Sequence, residues 1–319
     1  MGRDINFRIN VLGCGSAKPT LEHNPSCMVL EHGSALFMID CGEGAQKEML
    51  KQRLKMSRLG HVFLTHLHGD HVLGLPGLVS TLALDKKRGG LTIHTTEEGR
   101  QMLTTIFGYF DSDSDFEVRF EVFDPTREEI VYEDKTMTVR TLPLRHRVPA
   151  VGFVFEEKPK SRHIIGEMIE RFGIPFSAIP AIKAGEDFTT TEGTVIPASE
   201  LTSAPTPSHS YAHLSDTLYL PELAEKIKGV DLLYHESTYL KENAREATER
   251  FHSTAAQAAM MARDADAGAL LLGHYSSRYR HDSLFLEEAR EIFPRTVLAD
   301  EGLTLDIPVS EVEIISARR

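Results

Sequence analysis

The chain has 319 residues, of which 41% are hydrophobic and 26% are charged, and its formal net charge is −12. This length fits one large α/β domain or two small ones, and the apolar content can form a sizeable core. No apolar run approaches the length that spans a bilayer, and the first residues, MGRDINFRINVLGCGS, lack the apolar segment of a secretion signal. We therefore expect a cytoplasmic protein without a membrane partner.

The three cysteines, Cys14, Cys27 and Cys41, are an odd number without the spacing of a metal site. They are predicted to be small buried side chains in a reducing compartment. The acidic balance of the chain also opposes a broadly basic surface for nucleic acid, so any such contact would have to come from local basic patches.

Taken in chain order, short apolar runs predict buried strands, and a polar side chain follows the end of most of them. The runs and side chains are residues 35–39 with Asp40, 62–64 with His66, 137–144 with His146, 211–215 with Asp216, 231–234 with His235, and 269–273 with His274. Loops beyond strand ends can carry polar groups while the strands stay buried, so ligands gather there.

The densest polar segment packs His66, His68, Asp70 and His71 into six positions. Imidazole and carboxylate are donors that zinc binds in proteins. Glycines, a proline and an apolar run with helical spacing come next, so the segment is predicted to be a tight loop between a strand and a helix. A polar turn is the alternative, but a turn does not need four potential ligands. One loop cannot complete two metal sites, so other strand ends must supply further ligands.

Motifs along nearly the whole chain resemble those of ribonuclease Z, the family of tRNA 3′-processing endonucleases in the metallo-β-lactamase superfamily. The matching segments are residues 12–20 (LGCGSAKPT), 40–46 (DCGEGAQ), 66–78 (HLHGDHVLGLPGL), 143–146 with 152–153, 215–217, 235–238 (HEST), 252–259 and 273–279 (GHYSSRY). The resemblance implies an α/β metallo-β-lactamase fold, a four-layer αββα sandwich with a protruding arm. It also implies a single domain over residues 1–319, with the arm inside an insertion at residues 156–205.

The resemblance implies two zinc ions per chain. The first would be held by His66, His68 and His146, the second by Asp70, His71 and His274, and Asp216 would bridge both. The chemistry of these residues fits independently, because five imidazoles and two carboxylates leave open positions for water and substrate, as a catalytic site requires.

Two-metal hydrolysis of a phosphodiester needs a group that accepts the proton of the attacking water and a group that protonates the leaving 3′-oxygen. Asp70 would ligate a metal and accept the first proton. The resemblance implies that His252 protonates the leaving oxygen and that Glu236 orients His252. The alternative for His252 is a place at the start of a helix, where Ser253 or Thr254 can cap the alanine-rich stretch that follows.

Three further polar residues are predicted to support the site rather than bind metal. Asp40 lies in a family motif, but the ligands above already fill both sites. It is therefore predicted to hydrogen-bond the turn that follows it or to hold a ligating histidine. His235 is predicted to be a similar support or a structural residue, and His61 to be a packing or capping residue.

Residues 156–205 are irregular and begin with a basic cluster of Lys158, Lys160, Arg162 and His163. They resemble in position the family's arm, which grips tRNA away from the active site. Lys158 and Lys160 are predicted to contact tRNA there, and Arg278 to pair with a phosphate. Residues 164–172 have helical spacing, whereas residues 174–184 do not. Other basic patches are Lys47, Lys51, Arg53, Lys55 and Arg58 on one predicted helix, Lys86 to Arg88, and Arg145 with Arg147; solvated faces are the alternative for each.

The leading hypothesis is an endonuclease that cuts precursor tRNA and leaves a 3′-hydroxyl. The family is commonly a homodimer in which each arm serves the partner's site. One alternative is a hydrolase of small phosphodiesters, sulfate esters or lactones on the same fold, and another is an RNA-binding protein that has lost catalysis. The intact ligand set opposes the last, because a binding module does not need it.

Overall fold

The computed structural model describes residues 7–110, 116–311 and 313. In chain order its strands are β1 (Phe7–Gly13), β2 (Cys27–His32), β3 (Ala35–Ile39), β4 (Leu59–Phe63), β5 (Leu91–Thr95), β6 (Val118–Val122), β7 (Ile130–Glu133), β8 (Met137–Leu144), β9 (Ala150–Glu157), β10 (His163–Ile164), β11 (Phe188–Thr189), β12 (Val195–Ile196), β13 (Thr202–Ser203), β14 (Ser210–Leu214), β15 (Leu232–Glu236), β16 (Ala269–Gly273), β17 (Thr296–Leu298) and β18 (Thr304–Asp306). Its α-helices are α1 (Ala45–Lys51), α2 (Gly69–Val72), α3 (Leu75–Leu84), α4 (Glu97–Phe110), α5 (Gly166–Phe172), α6 (Ile179–Ala184), α7 (Ala198–Leu201), α8 (Ala244–Arg250), α9 (Ala255–Asp264) and α10 (Ser283–Arg290). Short 3-10 helices lie at Met56–Arg58, Pro221–Ile227 and Lys241–Asn243.

The described strands form two seven-stranded sheets, in the orders β18-β1-β2-β3-β4-β5-β6 and β17-β16-β15-β14-β9-β8-β7. Their inner faces meet through aromatic side chains, where the ring of Phe63 lies 5.3 Å from that of Phe153 and 5.4 Å from that of Phe155. Apolar side chains of α1, α3 and α4 pack on the first sheet, and α9 and α10 pack on the second. The predicted four-layer αββα arrangement is confirmed.

The parallel strands of each sheet are largely buried because both of their faces are covered. β3, β4 and β5 are mutually parallel neighbours in the first sheet, and β14, β15 and β16 are parallel neighbours in the second. The carboxyl ends of parallel neighbours lie at the same sheet edge, so the polar residues after these strands are brought together.

The described residues divide into two compact units. The smaller consists of residues 134–137 and 157–208 and contains α5, α6, α7 and the two-stranded pairs β10-β13 and β11-β12. It has its own apolar core, formed by Ile174, Ile182, Ile196, Ala198 and Leu201. The larger unit contains both seven-stranded sheets. No helix among the described residues is long and apolar enough to cross a membrane.

Two predicted segments differ from the structure. The helix predicted to carry Lys47 to Arg58 ends at Lys51, because Arg53 takes a left-handed backbone conformation with φ 58°. Lys55 is extended, and the Arg58 guanidinium pairs with Glu31 at 2.8 Å. Conversely, residues 174–184 contain the helix α6, in which Pro180 occupies the first turn, where its missing N–H costs nothing.

Candidate metal centre

The loops that carry the predicted ligands pack closely because two glycines leave room for backbone contact. A Cβ atom at Gly74 would lie 2.1 Å from the Gly42 carbonyl oxygen, and one at Gly42 would lie 2.5 Å from the Asp70 carbonyl oxygen. The loop after β3 and the loop after β4 are therefore locked together. This contact explains why glycine is needed in both predicted motifs, Asp40 to Gln46 and His66 to Leu78.

Three histidines from two loops form the first group of potential ligands. Nδ1 of His68 lies 3.1 Å from Nε2 of His66 and 3.2 Å from Nε2 of His146. The Oδ2 atom of Asp216 lies 3.7 Å from Nε2 of both His66 and His146. These four donor atoms are close enough to share one metal ion.

The second group lies on the other side of the Asp216 carboxylate. Its Oδ1 atom is 3.2 Å from Nε2 of His274 and 3.5 Å from Nε2 of His71. The Oδ2 atom of Asp70 lies 3.5 Å from Nε2 of His274 and 3.6 Å from Nε2 of His71. Because the two oxygens of Asp216 face different groups, its carboxylate has the position of a bridge.

The outward nitrogen of each of four histidines is held by a neighbouring oxygen. His71 Nδ1 lies 2.6 Å from the Asp40 carboxylate, and His66 Nδ1 lies 3.0 Å from Thr65 Oγ1. The Asp40 carboxylate also accepts hydrogen bonds from the amide and hydroxyl of Thr65. His146 Nδ1 bonds to the Phe251 carbonyl at 2.9 Å, and His274 Nδ1 lies 2.9 Å from Thr238 Oγ1. Such partners fix the ring orientation of a ligating histidine.

The imidazole nitrogens that face the centre of the cluster show whether a metal ion would fit there. The Nε2 atoms of His71 and His274 are buried and have no hydrogen-bond partner within the described part of the chain. Unpaired buried polar atoms are costly, so the inner face of this cluster is built for a group that binds them. Imidazole nitrogens and carboxylate oxygens at this spacing match the donor set of zinc.

The electrostatics of the cluster agree with that fit. Burial lowers the pKa of His66, His68 and His146, so these imidazoles stay neutral, as metal ligands must be. Burial also acts to lower the pKa of His71, but the Asp40 and Asp216 carboxylates outweigh it and raise the pKa to about 10. A cation that binds His71 Nε2 must therefore displace a proton.

His252 and Glu236 form a buried pair beside the cluster. His252 Nδ1 lies 2.9 Å from Glu236 Oε1, and the His252 ring lies 5.0 Å from the ring of His146. Burial acts to lower the pKa of His252, but the Glu236 carboxylate outweighs it and raises the pKa to about 9. The same carboxylate accepts the amides of Thr217, Thr238 and Ser253, which fixes its position.

The helix cap predicted beside His252 is present in the structure, but His252 itself lies outside the helix. Thr254 is the N-cap of α9, and its side chain forms a reciprocal capping box with Gln257. His252 lies before this cap, so it does not belong to the helix and faces the cluster instead.

Several residues at the site have left-handed backbone conformations that side chains rarely adopt. Asp40 has φ 56°, Phe251 has φ 62° and His274 has φ 63°. Such conformations persist where the surrounding structure holds them, and they concentrate at functional sites. Here each one aims a carboxylate, a carbonyl or an imidazole at the cluster.

The predicted substrate contacts lie elsewhere and already have partners. The Arg278 guanidinium makes two hydrogen bonds to the Glu246 carboxylate, at 2.6 and 2.7 Å, and lies over the Tyr239 ring. Lys160 pairs with Glu157 at 2.7 Å in the smaller unit, where the backbone of Lys158 bonds to Thr136. Their contacts with tRNA stay predictions.

Two further histidines that the sequence analysis predicted to be supporting residues lie within strands. His61 lies within β4 and contacts His94 at 3.0 Å, and His235 is buried in β15 with its Nδ1 bonded to the Glu236 carbonyl. Sequence reasoning missed three supporting groups: the Thr65 and Thr238 hydroxyls, and the Ala17 amide, which donates to Asp70 Oδ2 at 2.7 Å. The two threonines adjoin predicted motif residues, which was a usable signal. A backbone amide leaves no such signal.

Comparisons with known proteins agree on the fold. The structure superposes on the short form of human tRNase Z with a TM-score of 0.68 and 23% identity, covering 95% of this chain and 100% of that chain. It superposes on the metallo-β-lactamase fold protein YhfI from Bacillus subtilis with a TM-score of 0.68 and 17% identity, again covering 95% and 100%. A family model described as Anti-Pycsar protein Apyc1 matches residues 7–160. The chain therefore has the metallo-β-lactamase fold.

The curated relatives identify the family. The chain is 44% identical to ribonuclease Z from Bacteroides fragilis (strain YCH46) over 301 residues, which cover 94% of this chain and 99% of the relative. The matched span of 301 residues is too long to leave out the segments that carry the candidate metal ligands. This chain accordingly belongs to the ribonuclease Z family.

Proposed function

We propose that this protein is a zinc-dependent endoribonuclease that removes the 3′ trailer from precursor tRNA. The products are a tRNA with a 3′-hydroxyl and a trailer with a 5′-phosphate. The observation that carries the proposal is the convergence of two ligand groups on the oxygens of Asp216, with the His252–Glu236 pair beside them.

Two zinc ions would be held by the two groups. His66, His68 and His146 would hold one, Asp70, His71 and His274 the other, and Asp216 would touch both. When bound there, the ions would lower the pKa of a water molecule and stabilise negative charge on the scissile phosphate.

Asp70 and His252 would move protons at the reacting phosphate. Asp70 keeps one carboxylate oxygen hydrogen-bonded to the Ala17 amide, so its orientation is fixed while it accepts the proton of the attacking water. His252 is bonded through Nδ1 to Glu236, which leaves Nε2 to protonate the leaving 3′-oxygen. The Glu236 carboxylate favours the protonated imidazole, the form that a general acid requires at neutral pH.

The choice of tRNA as substrate rests on the family. Curated relatives are named ribonuclease Z, and one structural relative is a tRNase Z. The arm in residues 156–205 would hold the body of the tRNA, through Lys158 and Lys160 among others, and Arg278 would contact a phosphate. The arm would serve the active site of a second copy in a homodimer. A cytoplasmic location suits this substrate.

Comparing two substrates tests the proposal. A precursor tRNA should be cleaved with a far higher kcat/KM than bis(4-nitrophenyl) phosphate, because only the RNA reaches the arm. The Asp70→Asn variant, which loses a ligand and the proton acceptor, should be inactive on both. Efficient cleavage of the small diester without cleavage of the RNA would instead support a hydrolase of small phosphodiesters. RNA binding without cleavage of either would indicate a binding protein.

A further inference from the structure

A second cluster of metal-binding side chains lies outside the centre described above. We propose that Cys14, His23 and Glu301 form a separate site for a divalent metal ion of the zinc class. Cys14 follows β1, His23 lies in the loop before β2, and Glu301 precedes β18, so the ion would join segments far apart in the sequence.

The donor atoms have the spacing of a metal site. Sγ of Cys14 lies 3.3 Å from Nδ1 of His23 and 3.8 Å from Oε2 of Glu301, and that Oε2 lies 2.8 Å from His23 Nδ1. Around zinc, bonds of about 2.3 Å to sulfur and about 2.0–2.2 Å to nitrogen or oxygen place tetrahedral donors about 3–4 Å apart. The three atoms could therefore bind one ion after small movements.

Neighbouring groups hold two of the three ligands in place. His23 Nε2 lies 2.8 Å from the Asp282 carboxylate, which is how a carboxylate orients a metal-binding imidazole. Glu301 Oε1 accepts the Asn24 amide at 2.8 Å, which leaves Oε2 turned towards Cys14 and His23. An orienting carboxylate on the far nitrogen is a feature independent of the ligand set itself.

The cluster is largely enclosed, and a cleft lies beside His23. Cys14 is fully buried, and the side chains of His23 and Glu301 are 14% and 12% exposed. A cleft of about 440 Å³, lined by His23, Asp282, Tyr275 and Arg280 among others, opens beside it.

The same atoms could also form a hydrogen-bonded cluster without metal. The Asp282 carboxylate holds the pKa of His23 well above its ordinary value, so an imidazolium between two carboxylates is the state in the absence of a cation. Burial raises the pKa of Cys14 to about 12. A divalent ion must therefore displace one proton from the thiol and one from the imidazole, and both leave to solvent.

The thiolate makes this site distinguishable from the dinuclear centre, whose proposed ligands include no sulfur. Protein loaded with Co²⁺ should show an intense thiolate-to-metal charge-transfer band in the near ultraviolet. In Cys14→Ala the band should disappear, and the zinc content of the zinc-loaded protein should fall by one ion per chain. The control is Cys27→Ala, which removes a buried thiol on β2 and should leave both readings unchanged.

A second variant keeps the test decisive if Cys14→Ala does not fold. Glu301→Gln retains an oxygen that accepts the Asn24 amide but loses the anionic ligand, so it should lose the same single ion. A wild-type protein that shows no charge-transfer band with Co²⁺, or a band that persists in Cys14→Ala, would overturn the proposal. The cluster would then be an imidazolium held between two carboxylates.

Discussion

At the scale of single residues, the site combines inner donors that sequence patterns predict with outer partners that they do not. Four potential metal ligands can be recognised from the sequence because a loop does not need so many imidazoles and carboxylates for its structure. They are His66, His68, Asp70 and His71. The role of Asp40 was narrowed to two options, and the structure shows its carboxylate on His71 rather than on the glycine-rich turn. The carbonyl of Phe251 was not predictable, because any residue carries one.

Asp216 is the residue on which both proposed metal sites depend. Asp216→Asn keeps the volume but loses the charge that faces both imidazole groups, so it should reduce the zinc content by two ions per chain relative to the wild type. Metal analysis by mass spectrometry measures this loss. Asp85→Asn, at an exposed helix end, is the matched control and should retain all zinc. Loss of a single ion in Asp216→Asn would show that this carboxylate does not bridge.

His252 is predicted to act in chemistry and not in binding. His252→Asn should lower kcat on precursor tRNA by a factor on the order of 10²–10⁴, the usual contribution of a general acid. Affinity for the tRNA should stay near that of the wild type. In Glu236→Gln the carboxylate that raises the pKa of His252 is gone, so the loss of activity at high pH should move to lower pH.

The helix cap beside His252 provides the control for that variant. Thr254→Ala removes the capping box of α9 and should destabilise the protein by about 0.5–2 kcal/mol, with little change in kcat. If His252→Asn behaved like Thr254→Ala, losing stability and retaining turnover, His252 would be a structural residue at the start of the helix.

Arg278 can contact a phosphate only if it exchanges its partner. Its guanidinium is occupied by Glu246, so Glu246→Gln should free it and increase the affinity for precursor tRNA. Glu249→Gln, on the same helix, changes the net charge equally and is the control. Binding isotherms measure both variants. An equal increase in tRNA affinity in both variants would be explained by net charge alone. It would contradict the prediction that Arg278 contacts a phosphate.

At the scale of elements, the sequence pattern predicted β3, β8 and β16 to the residue. β3 and β16 are buried almost continuously, whereas buried and partly buried residues alternate over the first half of β8. Helix ends were harder to predict. Arg53 ends α1 by adopting a left-handed backbone conformation. An arginine side chain has no preference for this conformation, so the end of the helix could not be predicted from it. The helix α6 was missed because Pro180, usually a helix breaker, occupies its first turn.

The arm is the element with the most specific expected effect. Replacing Lys158, Lys160 and Arg162 by glutamine should weaken binding of precursor tRNA and leave hydrolysis of bis(4-nitrophenyl) phosphate intact. A remote contact supplies binding energy only to a substrate long enough to reach it. The salt dependence of tRNA binding should also become shallower, because fewer counterions are released.

The matched control neutralises Lys226, Lys228 and Arg263, three exposed residues of the larger unit, and so lowers the net charge by the same amount. Equal losses on both substrates in the arm variant would indicate a folding role. Wild-type behaviour on both would remove these residues from substrate binding.

At the scale of the whole molecule, the fold explains how ligands scattered from residue 66 to residue 274 meet. The parallel strands of both sheets end at edges that carry Asp40, Asp216, Glu236 and His274. The strand order therefore brings these residues close together, although they are far apart in the sequence. The order of the family motifs along the chain allowed the four-layer αββα architecture to be predicted. The smaller unit at residues 157–208 nearly coincides with the insertion predicted at residues 156–205, and its predicted role in holding tRNA stays a prediction. The net charge of −12 still requires that contact with tRNA be local.

The central claim is that this chain cuts precursor tRNA at its 3′ side by attack of water on phosphorus. Mapping the ends of the products from one precursor tRNA tests this most directly. We predict a single cut between the tRNA and its trailer, with a 3′-hydroxyl on the tRNA and a 5′-phosphate on the trailer. A 3′-phosphate or cyclic phosphate on the tRNA, or a ladder of products shortened from the 3′ end, would contradict the account.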